Sequence, residues 1–179
     1  MGAFDISLLS LLFLIALSIV WGTLKTGISP MMSSTKACQV MLNLSERAES
    51  GTVIDLGSGW GTLVIAAARK YPERQVIGYE LSWFPWLFSM LRKHFLGLDN
   101  LTIYRDNFKH QDLNHTAVLF CYLFPAAMIA LNEKLERELL GKTVIVSNTF
   151  ALPSCSPVEV IKLQDLYQTP IYLYVWQPE

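Results

Sequence analysis

The stretch that decides the fold is Val53-Ile54-Asp55-Leu56-Gly57-Ser58-Gly59-Trp60-Gly61, an apolar run that leads into three glycines at alternate positions. The run Thr52–Leu56 predicts a buried strand, and Leu63–Tyr71 predicts a helix. Glycines at alternate positions let the backbone turn sharply and approach a ligand where a Cβ atom would collide. The segment therefore predicts a strand, a ligand-binding turn and a helix in direct succession.

The residues around this turn indicate which ligand it binds. A dinucleotide fingerprint needs Gly-x-Gly-x-x-Gly, but Thr62 stands where its third glycine belongs, and the Gly-Lys-Ser/Thr of a phosphate-binding loop is absent. Asp55 precedes the first glycine by two places, and Glu80 ends the next predicted strand. An acidic residue in the place of Glu80 accepts hydrogen bonds from ribose hydroxyls, and Asp55 beneath the loop suits an amino group. The predicted ligand is a nucleoside amino acid rather than a pyrophosphate.

Outward from the turn, short apolar strands alternate with helices. The further predicted strands are Val76–Glu80, Leu101–Tyr104, Thr116–Tyr122, Thr143–Ser147, Glu159–Leu163 and Ile171–Trp176. Three further helices are predicted. The first is capped by Ser34 or Thr35 and has an apolar face of Ala37, Val40, Met41 and Leu44. The second covers Ser82–Leu96 and is capped by Ser82, and the third is marked by Met128, Leu131, Leu135 and Leu139 and ends at Gly141. This alternation predicts an α/β fold with a Rossmann-like, mostly parallel seven-stranded sheet and helices on both faces.

An uncharged run of 19 residues, Ile6–Leu24, precedes the α/β region. As a helix it would be about 28 Å long, close to the roughly 30 Å hydrocarbon core of a bilayer. No Lys or Arg precedes it and Trp21 suits a membrane interface, so a single-pass anchor is predicted rather than a cleaved signal peptide or a buried helix. Lys25 and Lys36 follow the run, which places the remaining chain on the cytoplasmic side of the membrane. The predicted organisation is a transmembrane anchor over 1–26, a linker and capping helix over 27–50, and the α/β domain over 51–179.

The composition narrows the class of protein. Lys and Arg number 14 against 15 Asp and Glu, and charged residues make up 16% of the chain, below the roughly 25% of ordinary soluble domains. This excludes a disordered chain and a strongly basic nucleic-acid binder, and it suggests that part of the chain does not face water. Cys38, Cys121 and Cys155 are widely spaced with no Cys-x-x-Cys, so neither a disulfide framework nor a zinc site is indicated. We expect no metal and no nucleic acid as partners.

Asp55-x-Gly57-x-Gly59-x-Gly61, with Glu80 downstream, resembles motif I and its successor in class I S-adenosylmethionine (SAM) methyltransferases. A closer resemblance covers nearly the whole chain. It rests on features that follow one another along the chain in this order: the span, the Pro-containing linker, Asp-Leu-Gly-Ser-Gly at 55–59, Gly78-Tyr79-Glu80-Leu81, Trp86, Tyr122-Leu123-Phe124-Pro125 and Val146-Ser147-Asn148-x-Phe150. This order is similar to the small membrane-anchored protein-lysine methyltransferases that modify the ATP synthase c-subunit or the adenine nucleotide translocase, and to their prokaryotic relatives. Those relatives usually carry Asp and then Arg around the third glycine, where this chain has Trp60 and Thr62.

The resemblance implies SAM as the cofactor and assigns a site to it. It implies that the cofactor is held by Asp55, Gly57, Ser58, Gly59, Gly61, Glu80, Leu81, Asp106, Asn107 and Phe108. Asp106 would reach the adenine amine and Phe108 would cover a ring face, the alternative being a polar loop with one core aromatic. Tyr122, Pro125 and Asn148 are the predicted catalytic residues, because the methyl acceptor meets the cofactor beyond the fourth strand. The alternative is that Tyr122 and Phe124 are core aromatics.

The predicted function is therefore a membrane-anchored SAM-dependent methyltransferase that modifies a lysine of a membrane protein. One alternative acceptor is a membrane-soluble small molecule such as a quinone or a lipid, and another possibility is a non-catalytic SAM-binding protein. A hydroxyl acceptor would call for a base near Pro125 or Asn148, and the sequence shows none there. The aromatic run 83–88 has three candidate roles, namely the core, the wall of the adenine pocket and the bilayer interface.

Overall fold

The structure, a computed structural model, describes residues 2, 5, 7, 9 and 13 and the stretches 32–139 and 141–177. The predicted anchor, residues 6–24, lies almost entirely outside these described residues, as does the linker up to residue 31. Among the residues described, no helix has the length and apolar character needed to cross a bilayer. The transmembrane span and the proposed domain boundaries stay predictions.

Seven strands form one mixed sheet in the order β3-β2-β1-β4-β5-β7-β6. The strands are β1 Thr52–Leu56, β2 Val76–Tyr79, β3 Leu101–Tyr104, β4 Thr116–Cys121, β5 Thr143–Asn148, β6 Glu159–Lys162 and β7 Pro170–Trp176. Strands β1 to β5 pair in parallel, and β7 lies antiparallel between β5 and β6. The predicted mostly parallel seven-stranded sheet is thus confirmed, and the predicted strand ends differ by about one residue. Glu80 and Tyr122 lie just beyond their strands, in the loops at the edge of the sheet.

Four helices connect and cover the strands in the described part of the chain. They are α1 Thr35–Leu44, α2 Thr62–Lys70, α3 Trp83–Phe95 and α4 Pro125–Glu138, with short 3₁₀ turns at Ser45–Arg47 and Phe108–His110. Of the two predicted caps for α1, Ser34 is the one used, because its hydroxyl accepts a hydrogen bond of 3.1 Å from the Ala37 N–H. The predicted side-chain cap of α3 is wrong. Ser82 stands at the N-cap without a capping bond, and its own N–H donates to Glu80 instead.

Two apolar cores lie on the two faces of the sheet. Helices α1 and α2 and the inner side of α3 pack on one face, and α4 packs on the other together with Phe108. Parallel strands covered on both faces are expected to be apolar on both sides, and Val118, Leu119 and Phe120 of β4 are all fully buried. Met41 of α1 is also fully buried. Residues 35–44 therefore share the core of the sheet.

The sheet reverses its strand order between β1 and β4. From β1 the chain crosses over to β2 and β3 on one side, and it then returns to place β4 on the other side of β1. Ligands of open α/β sheets bind in the crevice outside the carboxyl ends of the strands at such a switch point. The glycine turn after β1, Glu80 after β2 and Tyr122 after β4 all lie at this edge.

Candidate active site

The three glycines of the turn are required for different physical reasons. All have positive φ, at 74° for Gly57, 53° for Gly59 and 79° for Gly61, which glycine adopts without a steric penalty. A Cβ at Gly61 would lie 2.8 Å from the Cβ of Ser89 on α3, so this position is fixed by helix packing. A Cβ at Gly59 would meet nothing closer than the Gly57 carbonyl oxygen at 3.9 Å. Gly59 is therefore the glycine whose surface is open to a ligand.

Glu80 holds the glycine turn in place and lies at the same edge of the sheet as the crevice. Its Oε2 accepts a hydrogen bond of 2.9 Å from the Gly59 N–H, and its Oε1 accepts one of 2.7 Å from the Ser82 N–H. The side chain is buried. Each carboxylate oxygen retains lone-pair capacity beyond these two hydrogen bonds, and the contact of Glu80 with ribose hydroxyls stays a prediction.

Asp55 is a buried carboxyl at the end of β1, with only 4% of its surface exposed. Burial first, and the negative charge of Glu80 second, raise its pKa from 3.8 to about 7, while the backbone N–H of Val64 in the first turn of α2 counteracts that rise. A carboxyl in such surroundings favours a positively charged neighbour. The position beneath the glycine turn thus suits the amino group of an amino-acid ligand.

A partly open cleft lies at this edge of the sheet. It is lined by Met32, Ser33, Asp55, Gly57, Ser58, Gly59, Trp60, Thr62, Leu63 and Tyr122. Asn148, at the end of β5, lies beside it, because its Nδ2 donates a hydrogen bond of 3.3 Å to Ser33 Oγ. Of the predicted catalytic residues, Tyr122 and Asn148 thus come to the cleft, whereas Pro125 is the exposed first residue of α4.

The predicted adenine-binding residues follow β3. Asp106 is exposed and accepts hydrogen bonds from the Asn107 N–H at 2.6 Å and from Gln111 Nε2 at 2.9 Å. Asn107 caps the 3₁₀ turn through the Lys109 N–H. Phe108 is 7% exposed and packs in the core on the α4 side. The structure therefore supports a core position for Phe108, and the adenine contacts of Asp106 and Asn107 stay predictions.

Of two further predicted residues, Ser58 lines the cleft and Leu81 is not among the described residues that line it. Leu81 is exposed and follows Glu80 directly. Ser58 is buried, and its hydroxyl has no hydrogen-bond partner among the described residues. The two backbone N–H groups of Gly57 and Ser58 both donate to the Tyr79 carbonyl at 2.9 Å, which ties the turn to β2.

The sequence reasoning missed two parts of the site. Ser33 and Met32 line the cleft although they precede α1, and no local pattern predicts that long-range placement. Trp60 bridges the glycine turn and α3, since its ring meets Phe88 edge-on at 5.5 Å and its carbonyl accepts a hydrogen bond of 3.1 Å from Arg92. The position of Trp60 inside the glycine motif was the available signal for this contact.

These residues fit SAM as a bound cofactor. The open surface above Gly59 allows the cofactor to approach the backbone closely. The acidic side chain of Glu80 suits the ribose, and the buried carboxyl of Asp55 suits the amino group. No cluster of three His, Cys, Asp or Glu side chains that could hold a metal occurs in the described ranges. The fold and the site together define a class I SAM-dependent methyltransferase.

Comparison with known proteins extends this to a family. Residues 55–159 match the ANTKMT methyltransferase domain, and the chain belongs to that family of SAM-dependent methyltransferases. It is 28% identical over 147 residues to a protein-lysine N-methyltransferase of Saccharolobus islandicus, covering 78% of this chain and 88% of that protein. It is 32% identical over 118 residues to the mouse adenine nucleotide translocase lysine N-methyltransferase and 31% identical over 116 residues to the human ATP synthase c-subunit lysine N-methyltransferase. Each of these two matches covers 64% of this chain but only about half of the mammalian relative, at 50% and 48% respectively.

A solved structure shows the same fold. The RNA methyltransferase of Salinibacter ruber, determined in complex with S-adenosylhomocysteine, superposes with a TM-score of 0.74 at 24% identity, covering 83% of this chain and 95% of that one. The predicted class I methyltransferase fold, the SAM cofactor and the resemblance to the protein-lysine methyltransferases are confirmed.

Proposed function

We propose that this protein is a membrane-anchored methyltransferase that transfers methyl groups from SAM to a lysine amine of a membrane-associated protein. The relatives named for lysine methylation of the adenine nucleotide translocase and of the ATP synthase c-subunit support a lysine acceptor in a membrane protein. The uncharged run Ile6–Leu24 supports an anchor, and Lys25 and Lys36 support a catalytic domain on the cytoplasmic side.

The observation that carries the proposal is the alignment of three residues across the edge of the sheet. Leu56 of β1 pairs with Cys121 of β4, and Cys121 pairs with Ser147 of β5. The next residues along these strands are Gly57, Tyr122 and Asn148. The glycine turn that receives the cofactor thus adjoins a phenol hydroxyl, and a carboxamide lies one strand further along.

This row of residues suits an amine acceptor. An aliphatic ammonium has a pKa of about 10.4 and must lose its proton before the nitrogen can act as a nucleophile. Among the described residues that line the cleft, Asp55 is the one carboxyl, and no Lys, Arg or His lines it. Once Asp55 is paired with the cofactor amino group, the remaining lining is uncharged, which lowers the pKa of a lysine that enters it and leaves no free general base for a hydroxyl acceptor.

The side chains beside the cleft can then hold the neutral amine in place. Asn148 is 3% exposed, and its Oδ1 already accepts a hydrogen bond of 3.0 Å from Thr149 Oγ1. The second lone pair of that oxygen and the hydroxyl oxygen of Tyr122 are acceptors for an N–H group. When bound, SAM supplies an electrophilic methyl group. The contribution of the protein is alignment and exclusion of water, which account for a large share of such rate gains.

The test is methyl transfer by the full chain, reconstituted in the same liposomes as membrane proteins extracted from source cells that lack the gene. The liposomes are incubated with methyl-labelled SAM, and lysine methylation is read by mass spectrometry. We expect label on a lysine of a membrane protein, and Tyr122→Phe should reduce the rate by about 2- to 12-fold, the worth of one lost hydrogen bond of about 0.5–1.5 kcal/mol. Glu133→Gln, on the exposed side of α4, is the matched control and should leave the rate unchanged. Label in the lipid fraction would contradict the lysine proposal, and cofactor binding without turnover would contradict the enzymatic one.

A further inference from the structure

Helix α3 presents an apolar face to solvent. Trp83, Leu87, Leu91 and Phe95 recur every four residues, and their exposed fractions are 54%, 39%, 49% and 83%. Side chains at this spacing lie along one side of a helix. Phe88 adds a further ring that is 47% exposed. A stripe of this kind exceeds the singly scattered apolar residues of an ordinary surface, and such patches mark contact with a partner or a membrane.

The polarity of the helix is inverted relative to a surface helix that packs on a core. Its only fully buried residues are Pro85 and Ser89. Ser89 is small enough to pack against Gly61, and its hydroxyl donates a hydrogen bond to the Trp86 carbonyl at 2.8 Å. The inner contact is thus made by Pro85, Ser89, Trp86 and Met90, whereas the other large apolar side chains of the helix are mostly exposed. Folding of the domain does not explain these outward residues.

Positive charge borders the face. Arg92 of α3 and Arg105 after β3 are basic residues beside the rings of this face, in a chain of formal net charge −1. The Arg92 guanidinium carbon lies 5.8 Å from the centre of the Phe88 ring, and that of Arg105 lies 5.0 Å from the centre of the Trp83 ring. Aromatic rings beside long basic side chains are typical of helices that lie in a lipid headgroup region, where the rings enter the acyl boundary and the cations meet lipid phosphates.

We propose that α3 is a second membrane contact, which docks its Trp83–Phe95 face into the interface of an anionic bilayer and orients the active site. The inference rests on the proposed function, because the predicted anchor brings the domain to the bilayer. Seven residues separate Leu24 from Met32 at the cleft, and an extended chain of that length reaches at most about 25 Å. Helix α3 begins at the same edge of the sheet, immediately after Glu80, Leu81 and Ser82.

The docked face is also mechanically linked to the cofactor turn. Phe88 contacts the Trp60 ring, Arg92 donates to the Trp60 carbonyl, and Ser89 packs on Gly61. Lipid contact at α3 would therefore fix the orientation of the glycine turn relative to the membrane surface. The edge of the sheet that carries the glycine turn, Tyr122 and Asn148 would then have one fixed orientation toward a substrate in the same bilayer.

The experiment measures lipid contact directly, with an environment-sensitive NBD dye attached to the full chain in liposomes of phosphatidylcholine and phosphatidylglycerol. The background carries Cys155→Ser, because Cys38 and Cys121 are buried and burial raises the pKa of their thiols to about 11 and about 12, which leaves them unreactive. One variant carries Leu91→Cys on the proposed face. The matched control carries Glu133→Cys on α4, across the sheet.

We expect lipids with a nitroxide on the acyl chain to quench the dye at position 91 at least several-fold more than at position 133, at every protein-to-lipid ratio. Equal quenching at the two positions would overturn the proposal. A dye at position 91 whose emission is blue-shifted but not quenched would also overturn the proposal. If that blue shift weakens on dilution, the face is covered by a second copy of the chain. If the shift does not change on dilution, the face is covered by the N-terminal segment of the same chain. Flotation of the vesicles and methyl transfer are measured separately on the same samples, so failure of the anchor or of the enzymatic activity is distinguished from failure of α3 docking.

Discussion

Replacement of Asp55 by Asn separates two effects of this residue, namely its effect on the unfolding free energy and its effect on the affinity for the cofactor. The Asp55 carboxyl is almost fully buried and lies near the negative charge of Glu80, which together raise its pKa from 3.8 to about 7. Asn has nearly the same shape and cannot ionise. The variant therefore removes the buried charge without creating a cavity, and we expect a more stable protein that binds its cofactor poorly.

The magnitude follows from the two pKa values. Between about pH 4 and pH 7 the folded protein keeps a proton on Asp55 that the unfolded chain has lost, because the pKa of 3.8 becomes about 7 on folding. The contribution of this group to stability is therefore fully present below pH 4 and declines as the pH rises through 7. At 1.36 kcal/mol per pKa unit the whole difference is worth about 4 kcal/mol. About 3 kcal/mol of it is lost between pH 5 and pH 8.5.

The assay is urea unfolding of the full chain in detergent at pH 5, 7 and 8.5, for the natural protein and for Asp55→Asn. The difference in unfolding free energy between the two proteins isolates the Asp55 carboxyl, since all other titrating groups are common to both. We expect the unfolding free energy of Asp55→Asn, relative to that of the natural protein, to rise by about 3 kcal/mol between pH 5 and pH 8.5. A difference that does not change with pH would refute the assignment of a buried, raised pKa to Asp55.

Binding of S-adenosylhomocysteine is measured on the same samples by calorimetry. The natural protein should bind more tightly as the pH rises through about 7, because the ionised Asp55 is the form that pairs with a ligand amino group. Asp55→Asn should bind more weakly and without that rise. An Asn variant that binds as tightly as the natural protein at pH 8.5 would show that the amino group lies elsewhere.

Gly59→Arg should abolish S-adenosylhomocysteine binding in calorimetry and retain the circular dichroism spectrum, because the arginine side chain would fill the open surface above Gly59. Unchanged binding would show that the glycine turn does not hold the cofactor. Gly61→Ala should instead lower the unfolding free energy by about 2–4 kcal/mol, since its Cβ would lie 2.8 Å from Ser89 at a φ of 79°, and a variant of normal stability in urea would contradict that packing. Glu80→Ala should weaken binding by about 10- to 150-fold, the worth of about 1.5–3 kcal/mol, whereas an unaltered dissociation constant would remove Glu80 from the site. Deletion of residues 1–26 should leave a domain that binds the cofactor but loses activity on membrane substrates by a factor on the order of 10², and a foreign span should restore it; full activity without any span would show that the segment is not a targeting device.

The sequence alone determined the elements that depend on local pattern. Strand β1, the glycine turn and α2 could be predicted because each depends on a local pattern, namely an apolar run, the spacing of the glycines and a helical periodicity. The alternation of such strands and helices also indicated the parallel sheet. Asp55 and Glu80 could be predicted to lie at one edge of the sheet for the same reason, since each stands at the end of a strand and parallel strands end at one edge. The resemblance to lysine methyltransferases added Tyr122 and Asn148 to that edge.

Only the tertiary structure decided which of these residues face a ligand and which face the protein. Gly59 and Gly61 look equivalent in sequence, and only the approach of α3 shows that Gly61 is confined by Ser89 while Gly59 is open. Phe108 is part of the core on the α4 side, a placement that local pattern alone does not give, and its contact with adenine stays a prediction. The aromatic run of α3 could have been core as well. The outward face of Trp83 and Leu87 appears only once the small residue Ser89 makes the inner contact, because helical periodicity fixes which residues share a face but the neighbouring elements decide which face is buried.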